Sequence, residues 1–167
     1  MSSPLPRGIP LEAGEATVRA WGADAVELDG MEGPRGWLIL TNRRCLFARR
    51  VGALGSRGVL DPSRSVPLER IRYAGLRRFP MRIGIGEMGT VAGVELDGRG
   101  YRTGRAPPPG SVLVAIARQR LYRREELGLE SDSVRCVVCG TDNFSWNEKC
   151  LHCGRVLRDS GPGTGTL

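Results

Sequence analysis

The sequence predicts a mainly β domain that is covered by one C-terminal helix and followed by a small cysteine-rich metal module. Three observations lead to this prediction. Short apolar runs alternate with Gly, Asp and Pro turns from about residue 15 to residue 106. A single amphipathic stretch follows over residues 111–126, and two CxxCG motifs come after it. The length of 167 residues suits one modest domain and one small module.

The clearest strands are 36–41 and 44–49, joined by the turn Thr41-Asn42-Arg43. Asn42 suits such a tight turn, because Asn tolerates the left-handed conformation. Asp97-Gly98 is a second strong hairpin signal. Further strands are expected at 65–68, 71–76, 91–96 and 99–103.

Two stretches are expected to lack regular strands: 50–64 is expected to be a long exposed loop, and 77–90 is less regular. Ser111 is the candidate N-cap of a helix that runs to about Glu126, and Gly128 is expected to end it. One helix face is apolar and consists of Val112, Leu113, Ile116 and Ala117. The predicted segments are a flexible leader (1–14), the β domain (15–127), a linker (128–134), the cysteine module (135–157) and a disordered tail (158–167).

Composition argues against several classes of protein. No apolar run approaches the ~18 residues that span a bilayer. The first thirty residues lack a basic segment followed by an apolar one, so we expect a cytoplasmic protein, at most peripheral at a membrane. A single His argues against a Ser/His or Cys/His relay, and we expect no enzyme. Five Cys without a secretory signal argue against a disulfide framework.

The net charge of +7 lies in the N-terminal part, because residues 131–167 contain four basic and four acidic residues. Two interpretations stay open. Of 25 basic residues, 24 are Arg, so the basic face can be a solvated surface set by composition. Alternatively, it attracts an anionic membrane or nucleic acid. The candidate anionic-surface residues, if the first strands and the 50–64 loop share one rim, are Arg43, Arg49, Arg50 and Arg57.

The segment from Trp37 to Phe47, with its Thr-Asn-Arg-Arg turn, resembles the strand-turn-strand unit of GRAM and bacterial PH-like domains. The segment 66–71 is similar to the next strand in those families. The resemblance covers about residues 15–127. It implies a PH-like antiparallel barrel capped by one C-terminal α-helix, a fold that docks on a membrane surface or on a protein.

The two CxxCG motifs are Cys136–Cys139 and Cys150–Cys153, ten residues apart. Each CxxC turn presents two sulfurs to one point, and two turns complete the tetrahedron that zinc prefers. Four protein ligands leave no open position, so we expect one structural Zn²⁺ ion in a four-cysteine zinc ribbon. Because such a module has almost no core, chelation is expected to unfold the ribbon and leave the barrel intact.

The spacing C-x2-C-x3-N-x6-C-x2-C over 136–153 resembles the NZF or Ran-binding-protein type of zinc finger. The resemblance implies that Asn143 ties the two motifs together. The chain departs from the ubiquitin-binding members, since Gly140-Thr141 replaces their Thr-Phe. Trp146 and Asn147 replace the two Arg of the RNA-binding members.

Phe144 and Trp146 are the candidate partner-binding residues of the ribbon, with Asn143 in the same segment. Two interpretations stay open. The two aromatic side chains form an exposed apolar patch for a protein partner. Alternatively, one or both aromatic side chains pack against the metal site or dock on the β domain.

The predicted function is a non-enzymatic adaptor that combines a membrane- or protein-docking PH-like domain with a protein-binding zinc ribbon. The same pairing resembles the architecture of eukaryotic ESCRT-II, in which a PH-like domain and NZF fingers bind lipid and ubiquitin. That resemblance implies a ubiquitin-like partner. The alternative function is nucleic-acid binding through the Arg-rich barrel face and the ribbon.

Overall fold

A single antiparallel sheet forms most of the protein. The computed structural model describes residues 8–26, 32–51, 57–85, 87–103 and 108–157. In this part of the chain, no helix is long and apolar enough to cross a membrane. The strands are β1 (Thr17–Val26), β2 (Glu32–Thr41), β3 (Arg44–Val51), β4 (Arg57–Pro67), β5 (Ala74–Gly84), β6 (Glu87–Leu96), β7 (Arg99–Thr103), β8 (Ser133–Arg135) and β9 (Asp142–Phe144), and the helix is α1 (Pro109–Glu126).

Seven strands pair in the order β4-β3-β2-β1-β7-β6-β5, and β8 pairs with β9 in the ribbon. The prediction of a mainly β domain with one C-terminal helix is therefore confirmed. Strands β4 and β5 are the two edges, and no pairing joins them within the described residues, so the sheet is not closed. Helix α1 covers the inner face, where its four predicted apolar residues are all buried.

The β2–β3 hairpin forms at the predicted turn, but for a different reason. The Thr41 hydroxyl accepts the backbone N–H groups of Arg43 (3.1 Å) and Arg44 (2.9 Å). Asn42 does not adopt a positive φ. Its side-chain oxygen instead accepts the N–H of Ala16 (2.8 Å). The turn is thus held by side-chain hydrogen bonds and does not use the left-handed conformation that Asn42 would tolerate.

Residues 8–16, most of them in the predicted leader, contact this hairpin. Glu15 is buried; it accepts a hydrogen bond from Thr41 (2.7 Å) and pairs with Arg44 (2.8 Å). Burial raises the pKa of Glu15, but the Arg44 guanidinium and the Thr41 hydroxyl outweigh it and lower the pKa. Ile9 packs on the outer face of the sheet, against a buried cluster that includes Trp37 and is separate from the core under α1. Residues 1–7 lie outside the described residues.

Two expectations of irregular structure are wrong. Residues 57–64, placed in a long loop, belong to β4, and 77–90 lie largely in β5 and β6. Pro62 and Pro80 fit these strands because β4 and β5 are edge strands, where a missing N–H is tolerated. The sequence does not reveal which strands are edges. Residues 52–56 of the predicted loop lie outside the described residues.

Helix α1 begins two residues before the expected cap. The Ser111 hydroxyl donates to the Pro108 carbonyl (2.8 Å) and so does not cap the helix, which starts with Pro109. Proline suits this position because its missing N–H would have no partner in the first turn. Gly128 ends the helix as predicted. Its φ is +65°, and its N–H donates a hydrogen bond to the Glu125 carbonyl (3.0 Å).

Gly36 shows how closely β2 and β3 approach, and it supports a first prediction. A Cβ at Gly36 would lie 2.1 Å from the Ala48 carbonyl oxygen and 2.7 Å from the Phe47 ring. We expect Gly36→Ala to abolish stable folding, because backbone atoms of the central hairpin cannot move apart. Gly22→Ala is the control, since its Cβ would meet only the flexible Arg50 side chain at 3.7 Å. Circular dichroism melts of the two variants test this, and equal stability would contradict it.

Candidate metal centre and its interface with the sheet

The four predicted cysteine ligands converge. Their sulfur atoms all lie within 4.8 Å of one another. The Sγ atoms of Cys136 and Cys153 are 3.7 Å apart, and those of Cys139 and Cys150 are 3.6 Å apart. A tetrahedron with Zn–S bonds of about 2.3 Å has sulfur–sulfur edges of about 3.8 Å. The cluster could therefore hold one metal ion such as zinc, and the spacing of the donors fits it.

Glycines give each CxxC turn its shape. Gly140 and Gly154 have φ +70° and +72°, which L side chains rarely adopt. Their N–H groups donate to the carbonyls of Cys136 (2.8 Å) and Cys150 (2.9 Å). Each turn is thereby closed behind its two sulfurs.

Asn143 joins the two turns. Its amide N–H donates to the Thr141 carbonyl (2.7 Å) and lies 3.7 Å from the Cys150 sulfur. Its side-chain oxygen accepts the N–H of Leu151 (2.8 Å). Asn143 is fully buried, so it acts inside the ribbon, in the position that the zinc-finger resemblance implies, and has no surface for a partner.

The surroundings of the cluster shift the pKa values of two of its cysteines in opposite directions. The Thr141 hydroxyl, 3.2 Å from Cys139 Sγ, and the Thr141 backbone lower the pKa of Cys139 to about 6. The backbone N–H of Arg155 favours the thiolate of Cys153, but desolvation and the neighbouring sulfurs outweigh it and raise its pKa to about 11. The fifth cysteine, Cys45, is different, because burial raises its pKa to about 12. A divalent cation would offset the repulsion within the cluster, whereas Cys45 is an inert core residue.

The interpretation of Phe144 and Trp146 as an exposed patch is wrong. The structure shows the alternative, in which the two side chains dock on the β domain. Phe144 is 1% exposed and belongs to the main core, the buried cluster that the sheet and α1 share and that also contains Ile71 and Ala74. Trp146 stacks on Phe144 with ring centroids 4.7 Å apart. The Trp146 indole N–H donates to the Ala74 carbonyl at the start of β5 (3.1 Å). These aromatic side chains fix the ribbon to the sheet rather than to a partner.

Arg120 is the central residue of this contact, and it was not among the residues predicted from the sequence. It is 4% exposed and donates to both carboxylate oxygens of Asp132 in the linker and to the Ile71 carbonyl (3.0 Å). Its guanidinium also lies 5.3 Å from the Trp146 ring. Burial raises the pKa of Asp132, but Arg120 and Arg124 outweigh it and lower the pKa. The signal was the helix period, which places Arg120 on the same face as Ile116 and Ala117.

A further contact joins the ribbon to the start of α1. The carbonyl oxygen of Leu151, between two cysteine ligands, would lie 3.1 Å from a Cβ at Gly110. Leu151 itself packs against the main core. The ribbon therefore lies along α1, with Leu151 near its first turn and Trp146 beside Arg120 in its second half.

Only part of the predicted basic set lies together. Arg49, Arg50 and Arg57 are exposed where β3 meets β4, since Val51 pairs with Arg57 and Arg50 pairs with Gly58. Arg43 immediately precedes the opposite end of β3 and lies next to Glu12 (3.9 Å). It is seven residues from Arg50, which corresponds to about 23 Å along an extended strand. Placing Arg43 with the other three is therefore wrong.

The structure adds a residue to that end of the sheet. Arg35 follows Pro34 in β2 and precedes Gly36, which pairs with Arg49. Its side chain is 83% exposed and lies 4.0 Å from Asp24. Strand register, rather than any sequence motif, brings it here. We call Arg35, Arg49, Arg50 and Arg57 the basic rim.

No protein-family model, curated protein or solved structure matches this chain.

Proposed function

We propose that this chain is a non-enzymatic adaptor in which a PH-like domain docks on an anionic membrane through the basic rim. The seven-stranded antiparallel sheet, followed by one helix over its inner face, supports the PH-like assignment. The sulfur spacing and the closed set of four cysteine donors support one structural zinc ion. With four sulfur ligands, that ion would supply no open position for chemistry, which supports a non-enzymatic role.

The observation that carries the membrane assignment is the basic rim itself. Within the described residues, Arg49, Arg50 and Arg57 have no carboxylate partner, and Arg50 instead lies over the Trp37 ring at 4.5 Å. Unpaired guanidinium groups at one edge attract phosphate-bearing surfaces. Each basic residue near an anionic bilayer contributes about 1 kcal/mol of attraction.

The test is flotation of the full zinc-loaded chain with phosphatidylserine-containing and neutral vesicles. We expect the triple variant Arg49→Gln, Arg50→Gln, Arg57→Gln to reduce partition into anionic vesicles roughly 100-fold, because about 3 kcal/mol of attraction is lost. The control triple variant replaces Arg70, Arg72 and Arg118 by Gln. These residues are exposed outside the basic rim, and the control changes the net charge by the same amount as the test variant.

Three outcomes would overturn the membrane assignment. The first is that the wild-type chain does not bind anionic vesicles, which would exclude membrane docking. Equal losses in both triple variants would show attraction to net charge without a site. Tight nucleic-acid binding that falls steeply with salt, with no vesicle binding, would favour the alternative function.

Because Phe144 is buried, the ribbon must bind a protein partner through a different, exposed surface. Val137 and Val138 are 98% and 62% exposed on the first CxxC turn, away from the sheet contact. We assign the ribbon's protein contact, including that for a ubiquitin-like partner, to this pair. Nuclear magnetic resonance titration with ubiquitin-like proteins tests it: shifts at Val137 and Val138 support it, and their absence removes the ubiquitin-like partner.

A further inference from the structure

The residues that anchor the ribbon to the β domain lie in its metal loops or immediately before them. Three anchors hold it: Asp132 on Arg120, Trp146 on the Ala74 carbonyl, and Leu151 packed against the main core. Each anchor lies within four residues of a cysteine ligand along the chain. A change in the conformation of the metal loops therefore also moves the anchoring residues.

The ribbon has almost no core of its own. Phe144 is its one large apolar side chain that is fully buried, and it is buried in the core of the β domain. The ribbon backbone must consequently be ordered by the metal ligands and by docking together. When two binding events stabilise the same conformation, each strengthens the other by the same factor.

We propose that metal binding by the four cysteines and docking of the ribbon form one coupled equilibrium, so that the ribbon is a metal-controlled latch over α1 and β5. In the closed state, Arg120 holds Asp132 and the ring of Trp146. Loss of the metal releases these contacts and exposes the buried side chains of Ile71 and Ala74. This inference rests on the zinc binding proposed above and is independent of membrane docking.

The first measurement is the zinc affinity of the full chain in competition with a chromophoric chelator. We expect Asp132→Asn and Arg120→Gln to weaken zinc binding roughly tenfold or more each, although neither residue touches the metal; such couplings typically span 5- to 150-fold. Arg118→Gln is the matched control, because it lies on the same helix, is exposed and should leave the affinity unchanged. The double variant should weaken binding less than the product of the single effects, since both remove one contact.

A second measurement keeps the test valid if Arg120→Gln folds poorly. Removing zinc should shift the fluorescence emission of Trp146, and Trp146→Phe should abolish that shift, because Trp21 and Trp37 lie on β1 and β2. Unchanged zinc affinity in Asp132→Asn, with the amides of β2 and β3 still protected from hydrogen exchange, would overturn the latch. Zinc-independent Trp146 emission would also overturn it. If the wild-type chain binds no stoichiometric zinc, the metal assignment fails first and the latch with it, whatever the vesicle result.

Discussion

Replacing the ligand Cys150 by Ser should lower the melting temperature of the whole chain by about 10–20 °C. Without its metal the ribbon cannot keep its fold, because structural zinc supplies most of the folding free energy of such modules. Phe144 would then leave the core of the β domain, together with Trp146 and Leu151, which pack against it. Losing roughly 5 kcal/mol of packing corresponds to about 10–20 °C for a domain of this size.

This result would differ from the sequence-based expectation that the barrel survives chelation intact. Calorimetry of wild type and Cys150→Ser tests it, with Cys45→Ala as a control for a cysteine that is not a ligand. Cys45→Ala removes a small buried group and should not alter zinc stoichiometry. An unchanged main transition in Cys150→Ser would show that the β domain does not depend on the ribbon.

Phe144→Ala should destabilise the chain by about 3–5 kcal/mol, the usual loss for a fully buried aromatic residue. The cavity would open between the ribbon and α1, because Phe144 is 1% exposed and stacks on Trp146. Denaturant unfolding measures the change. Because ordinary domains have only about 5–15 kcal/mol of stability, a loss of this size should be visible at once.

Val137→Ala provides the comparison for Phe144→Ala. Val137 belongs to the same ribbon but is 98% exposed, so its truncation should change the unfolding free energy by less than about 0.5 kcal/mol. Phe144→Leu should recover part of the loss, since it keeps an apolar group of substantial volume in the site. Similar stability for the Ala variants at the two positions would contradict burial of Phe144.

Features that depend on neighbours in the sequence were predictable. The CxxCG spacing placed Cys136, Cys139, Cys150 and Cys153 correctly, because a CxxC turn brings two sulfurs together whatever surrounds it. The Asp97-Gly98 turn also formed as expected, with φ +47° and +79°. The periodicity of α1 identified its buried face, since that period is a property of the helix itself.

Features that depend on distant parts of the chain were not predictable. Pro62 and Pro80 are compatible with strands because β4 and β5 are edges, which is a property of the whole sheet. Arg35 joins the basic rim and Arg43 does not, because strand register decides which ends meet. Phe144 is buried because a surface formed by β5 and α1 lies against it.

The sequence by itself thus determined the cysteine cluster, the single helix and the β-rich class, all through short-range spacing and period. The tertiary structure decided what the ribbon's aromatic side chains do. An exposed patch and a docked anchor have the same local sequence, and they differ only in whether an apolar surface, here one carrying the Arg120 guanidinium, is available to cover them.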